Sequence, residues 1–219
     1  MPIRAVGFDL DETLAVPERK RSSILRSATE AVDAPALTRE AYLDAHARHL
    51  TRESRTPIFA DLLADHDADV DPDRLAAAYR ERIADALVLL DGVEGLLDSL
   101  RGGYRVGLLT NGPRVAQRDK LAVLGLTGAF DAALVSGELD AGKPDARAFA
   151  ALVEALGADP AETAYVGDDP EADVAGASNA GLRTVQVCYE GGPDPSPVAD
   201  AHVDRADLVS ALPAVLQSL

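Results

Sequence analysis

The feature that most constrains this chain is Asp9-Leu10-Asp11-Glu12-Thr13, set directly behind an apolar run from Ile3 to Phe8. A short continuous apolar run ending in turn-forming residues reads as a buried strand. Strand residues i and i+2 project the same way, so where the strand ends both acids can face one crevice. An open α/β sheet binds ligands outside the carboxyl ends of its strands, and two acids there can act as nucleophile and proton carrier with a cation between them. Alone, D-x-D-x-T is more often a plain strand-to-helix connection, because Asp and Thr are common turn and N-cap residues.

Three further signals follow in order. Thr110-Asn111-Gly112 ends the run Tyr104 to Leu109 and precedes a helical stretch from Pro113 to Leu124. A hydroxyl, an amide and free backbone N–H groups at a helix N-terminus suit phosphate oxygens. Lys143, in Gly142-Lys143-Pro144-Asp145, is one of only three lysines against 18 arginines. Its compact ammonium can sit beside a carboxylate nucleophile and a phosphate as a point charge. Last, Gly167-Asp168-Asp169-Pro170-Glu171-Ala172-Asp173 follows the strand-like Thr163 to Val166. Converging hard oxygen ligands imply a hard cation, and Mg²⁺ takes one or two carboxylates together with substrate phosphate and waters. Asp169, Glu171 and Asp173 also fit a first helical turn as partners of the helix dipole.

Together these residues resemble the haloacid dehalogenase-like (HAD) hydrolase superfamily over nearly the whole chain, through Asp9, Asp11 and Thr13, then Thr110 and Asn111, then Lys143, then Asp168 and Asp173. The resemblance implies Asp9 as the nucleophile that forms an aspartyl-phosphate and Asp11 as general acid and base. It implies Thr110, Asn111 and Lys143 as the phosphoryl-binding groups. Mg²⁺ would be held by the Asp9 carboxylate, the Asp11 carbonyl and Asp168, with Asp173 orienting Lys143 or a metal-bound water. An acid at position 11 favours an alkoxide leaving group over a halide, which needs no proton, and the family's 2-haloacid dehalogenases carry no aspartate there. Phosphonatase-like members use a cap lysine, and only Lys20 lies between the first two motifs. The expected activity is hydrolysis of small phosphate monoesters, with a phosphomutase that returns the phosphoryl group to a sugar as the alternative.

The fold implied is α/β: a Rossmann-like parallel sheet at residues 1–15 and 91–219, with a helical cap inserted at 16–90. Core strands are expected near 3–9, 104–110, 131–135, 163–168 and 183–188, and helices near 93–102, 113–125, 144–157, 170–180 and 205–217. The inserted stretch has helical periodicity and no good strand. Breaks at Asp33-Ala34-Pro35, Arg55-Thr56-Pro57 and Val70-Asp71-Pro72-Asp73 divide it into about four helices. Among its arginines, one or two near Arg48 to Arg55 are candidates to grip an anionic substrate. Tyr42, His46 and His49, at helical spacing, belong either to the cap's inner face or to its own core.

At 219 residues the chain is long enough for one α/β domain with an insertion. A net charge of −16 opposes nucleic-acid binding. The excess of Asp over Glu, 25 against 12, with scarce lysine, is the bias of a salt-adapted organism. Most acids outside the motifs, including the run Asp65 to Asp71, are therefore read as solvated surface. No apolar run reaches the roughly 20 residues of a membrane span. The strand begins at once, so a cytoplasmic monomer or homodimer acting on a small phosphorylated metabolite is expected. Cys188, the lone cysteine, reads as a buried strand thiol.

Overall fold

The computed structural model describes residues 2–66 and 68–219; Asp67, within the acidic run read as surface, lies outside the described residues. Six parallel strands form the main sheet: β1 (Ala5–Phe8), then β4 (Arg105–Thr110), β5 (Ala132–Val135), β6 (Thr163–Gly167), β7 (Arg183–Cys188) and β8 (Ala201–Asp204). Their order is β5-β4-β1-β6-β7-β8, so the chain builds outward from β1 on one side and then crosses to the other. That reversal leaves a crevice beyond the carboxyl ends of β4, β1 and β6, the place where open α/β sheets bind ligands. The residues that follow those strands are Asn111, Asp9 and Asp168.

Every residue of β1 is buried, which matches its unbroken apolar sequence and its place between two partners. Alternation then sorts side chains onto the sheet's two faces. Val6, Phe8, Val106 and Leu108 pack beneath α5 (Val93–Arg101), α6 (Arg114–Val123) and α9 (Leu208–Ser218). Ala5, Leu109 and Tyr165 pack beneath α7 (Ala146–Leu156) and the short α8 (Gly176–Asn179). On that second face Gly7 and Gly107 are paired in register, and a Cβ on them would stand 2.6 Å and 2.8 Å from Leu152. The two glycines let α7 lie close on the sheet, so an alanine at either would push the helix away.

Between β1 and α5 the chain forms α1 (Arg21–Ala31), α2 (Arg39–Arg48), α3 (Thr56–Ala64) and α4 (Pro72–Ala84). The starts of α2, α3 and α4 are chemically marked. Thr38 accepts from the Ala41 amide at 3.1 Å, Asp71 accepts from the Asp73 amide at 2.9 Å, and Pro57 and Pro72 occupy first turns. The four helices share a separate apolar core drawn wholly from residues 24–86 and centred on Ile24, Phe59, Leu75 and Tyr79.

Four expectations need correcting. The insertion is not free of strands: β2 (Ala15–Pro17) and β3 (Leu87–Leu89) pair antiparallel at its base, three residues each. Segments so short carry almost no periodic signal. The sixth strand, β8, has a single buried side chain, Val203, and reads as loop for the same reason. The last helix starts at Leu208 rather than 205, because Asp204 turns residues 205–207 into a 3₁₀ segment by accepting from the Ala206 amide at 2.9 Å. The stretch expected as one helix at 170–180 is a π-helical segment, Pro170–Ala175, continued by α8.

Candidate active site

Asp9 emerges from β1 into the crevice and is met by Lys143, whose ammonium donates to Asp9 Oδ1 at 2.7 Å. The same ammonium donates to Asp173 Oδ1 at 2.6 Å and to the Tyr165 hydroxyl at 2.9 Å. Tyr165 in turn donates to the Leu109 carbonyl at 2.7 Å. All three protons of Lys143 are thereby placed. Burial would strip its charge, but Asp173 and Asp9 outweigh burial and hold its pKa well above the ordinary value.

Asp173 reaches this position because Gly167 makes room. A Cβ on Gly167 would stand 2.4 Å from the Asp173 carboxylate, whose second oxygen accepts from the Asp169 amide at 3.0 Å. Asp168, the residue after β6, accepts from Tyr189 at 3.2 Å and from Thr13 at 3.5 Å. Among the described residues, Asp9, Asp168 and Asp173 form a buried carboxylate group whose oxygens lie within 4.8 Å of one another, a spacing a cation could bridge. Burial is the main reason the Asp9 carboxyl rises to about 7, partly countered by Lys143, and the reason Asp168 rises to about 8 with help from the Asp9 charge. A site that raises its own acids in this way is short of positive charge. Hard oxygens in this number suit Mg²⁺; Asp173 is held by the Lys143 ammonium and the Asp169 amide, whereas Asp168 meets only the Thr13 and Tyr189 hydroxyls and Asp9 has one oxygen without a partner among the described residues.

Asp11 faces the same cavity but keeps different company. Lys120 donates to its Oδ2 at 2.5 Å, Arg21 to its Oδ1 at 2.7 Å and Gln117 to its Oδ2 at 3.2 Å. Burial alone would raise its pKa; the Lys120 and Arg21 charges prevail and hold it well below the usual carboxylate range. Lys120 pays for this, burial bringing it down to about 8. Thr110 accepts from Gln117 at 2.6 Å, which leaves its own hydroxyl proton for an incoming oxygen. The Asn111 carboxamide is spent on the main chain of Lys143, donating to its carbonyl at 2.8 Å and accepting from its amide at 2.9 Å. That clasp fixes the position of Lys143, and one N–H of the Asn111 carboxamide has no partner among the described residues.

The helical insertion roofs a cavity of about 550 Å³ over these groups. Arg48 and Arg52, two of the expected candidates, do not line it; Arg48 is exposed and pairs with Asp61 at 3.1 Å. Arg55 does line it and is buried, as do Tyr42 and His46. His49 points away to Asp61, at 2.9 Å. Lys120, Gln117 and Arg21 are the site residues that motif reading missed. The scarcity of lysine was a usable signal, since two of the three lysines turn out to be buried against the two aspartates of the first motif.

This is the layout of a phosphoryl-transfer hydrolase, and residues 3–181 match the haloacid dehalogenase-like hydrolases; the chain belongs to that family. It is 30% identical over 218 residues to the glyceraldehyde 3-phosphate phosphatase of Methanopyrus kandleri, covering 93% of this chain and 94% of that protein. It is 47% identical over 92 residues to the phosphoserine phosphatase of Thermus thermophilus, a match that covers 42% of this chain and only 37% of that enzyme. Among solved structures, the 2-haloacid dehalogenase of Pseudomonas syringae pv. tomato superposes with a TM-score of 0.71 at 26% identity, over 98% of each chain. Phosphatases and dehalogenases thus share this fold, and the curated relatives named here are phosphatases. No helix among the described residues is long and apolar enough to cross a membrane.

Proposed function

We propose that this hydrolase is a Mg²⁺-dependent phosphatase of small phosphate monoesters that works through an aspartyl-phosphate on Asp9, with residues 16–90 as a cap over a core of residues 1–15 and 91–219. The observation that carries the reading is the pairing of two neighbouring aspartates with different lysines, Asp9 with Lys143 and Asp11 with Lys120, in one cavity. One acid is set up to attack and the other to move protons.

Asp9 Oδ2 makes no hydrogen bond among the described residues, whereas Oδ1 is fixed by Lys143, so the free oxygen is the one to attack phosphorus. Mg²⁺, when held by Asp9, Asp168 and the Asp11 carbonyl, supplies the charge that lets an anionic nucleophile approach an anionic ester. Lys143 neutralises the equatorial oxygens as they gain charge, and the Thr110 hydroxyl donates to one of them. Asp11 protonates the leaving alkoxide and then takes a proton from the water that opens the aspartyl-phosphate. With Lys120 and Arg21 bonded as seen, Asp11 is an ionised base, ready for the second of these steps. Its turn as an acid requires those contacts to loosen.

The experiment is single-turnover hydrolysis in ¹⁸O-labelled water with Mg²⁺. Water that opens the Asp9 acyl phosphate at phosphorus puts the label in free phosphate, whereas attack at the carboxyl carbon puts it in Asp9 in the first turnover and releases unlabelled phosphate. Attack at phosphorus leaves Asp9 unlabelled, and acid quench recovers a phosphorylated Asp9 peptide. Absence of that peptide under conditions of rapid turnover sinks the covalent route.

A further inference from the structure

The cap's side of the cavity is charged in a way the chemistry on Asp9 does not require. Its wall is built from Arg21, Arg39, Tyr42, His46, Arg55 and Tyr79, with small apolar residues between, and contains no carboxylate. In a chain with 37 acidic residues against 21 basic ones, that is a segregated surface. Arg21 is satisfied by Asp11 at 2.7 Å and Glu12 at 3.4 Å. Arg55 is not. It is buried, it lies with no carboxylate within 4.0 Å among the described residues, and its only side-chain partners are the Tyr42 hydroxyl, to which Nε donates at 3.0 Å, and the Tyr79 ring, whose centroid is 5.2 Å from its guanidinium carbon.

A buried cation without an anion is expensive, and proteins almost always pair it. Two aromatic partners fix the plane of the guanidinium but supply no charge. Nε is occupied, so the two terminal nitrogens remain, a fork matched to the two oxygens of a carboxylate. Arg39, half-buried and 5.1 Å from the Tyr42 ring, adds charge at the same wall. Beside them His46 is held neutral, mainly by burial and then by the nearby cations, so it offers one donor and one acceptor rather than more charge.

We infer that the missing anion is part of the substrate: the preferred phosphate ester carries a carboxylate at the end remote from phosphorus, and Arg55 is the residue that selects it. The paired terminal nitrogens of Arg55 match the two oxygens of a carboxylate, and Arg55 is the buried guanidinium of this wall that no acid among the described residues satisfies. This assignment rests on the phosphatase reading above and names the class of substrate for the same site.

The test uses matched pairs with Mg²⁺: 3-phosphoglycerate against glycerol 3-phosphate, and phosphoserine against phosphoethanolamine. p-Nitrophenyl phosphate serves as a generic ester and fructose 1,6-bisphosphate against fructose 6-phosphate as the second-phosphate arm. The wild-type protein is expected to favour at least one carboxylate partner by about tenfold to a hundredfold in kcat/KM, the worth of a charge-assisted bond. Arg55→Gln should collapse that ratio chiefly through KM. Arg55→Lys, which restores charge without the fork, should recover only part of it. Arg48→Gln, on the outer surface, should leave the ratio where it was. The wild-type comparison needs no variant, so a misfolded Arg55 protein does not rescue the idea. No hydrolysis of any ester would defeat the phosphatase reading itself. Hydrolysis without carboxylate preference, or a preference for the bisphosphate alone, would overturn the inference about Arg55.

Discussion

Filling the carboxylate cluster with Mg²⁺ should release protons, and their number should depend on pH in a way the structure fixes. With no cation present the Asp9 carboxyl sits at about 7 and Asp168 at about 8, both raised first of all by burial. A metal takes only the ionised forms. Above pH 8 both acids are already ionised, and binding displaces no proton. Between 8 and 7 one must leave, so the apparent Kd for Mg²⁺ should weaken about tenfold across that unit; below 7 the slope approaches two protons, about a hundredfold per unit. Calorimetric titration at pH 6.5 in two buffers of different ionisation enthalpy counts the protons directly. The expected value is between one and two, falling toward zero at pH 9. Stability follows with the opposite sign. Both folded pKa values lie above the ordinary 3.8, so the metal-free native state binds more protons than the unfolded chain between about 4 and 8, and its stability falls as pH rises through that window. His46, lowered to about 3, works against this only below its ordinary value of 6.5, which leaves the descent clearest from 6.5 to 8. Added Mg²⁺ should flatten it. A proton count of zero at pH 6.5, or a Kd that ignores pH, would refute the claim that Asp9 and Asp168 hold the cation.

Asp9→Asn should remove at least ~10³-fold from kcat on every ester while the thermal transition persists, as removal of a covalent nucleophile does elsewhere. Asp11→Asn should be severe for alkyl phosphates and mild for p-nitrophenyl phosphate, whose leaving group needs little protonation; equal losses on both would speak against its role as acid. Lys143→Ala should depress kcat across all substrates, measured by single-turnover kinetics, and should unpair two buried carboxylates at once. Lys120→Met takes away the nearest charge that holds Asp11 ionised, so the alkaline limb of kcat/KM against pH, which reports Asp11 as the acid of the first step, should move to higher pH. A limb that stays put would mean Arg21 and Gln117 suffice.

Much of this was legible in the sequence because it was written in strand ends. Asp9, Thr110 and Asp168 each close an apolar run, and parallel pairing of β4, β1 and β6 brings such ends together whatever the chain does in between. Proline and acid punctuation marked the starts of α3 and α4 equally well. What escaped was held by geometry rather than pattern. Lys120 and Gln117 lie mid-helix in α6, where a lysine ordinarily means solvent, and only the fold turns that face toward Asp11. Asn111 carried the expected motif, yet its carboxamide serves the Lys143 backbone, a choice set by the approach of a segment 32 residues away. Nor could spacing single out Arg55 from Arg48 and Arg52, since neighbouring positions around one bend differ only in which side is roofed.

The start of α6 has a property that bears on motion. Pro113 gives this helix no side-chain cap; instead the amides of Arg114 and Val115 donate to the carbonyls of Arg52 and Glu53 at 3.0 Å and 2.9 Å, and Ser136 donates to the carbonyl of Leu50 at 2.8 Å. Those carbonyls belong to the segment joining α2 to α3, so the helix behind the Thr110-Asn111 turn is completed by a piece of the roof. Lifting the roof leaves two helix-end amides to water, so release of this seam and exposure of those N–H groups are one event. The exchange rates of the Arg114 and Val115 amides with deuterated solvent therefore act as a built-in clock for opening, readable in the unlabelled, unsubstituted protein.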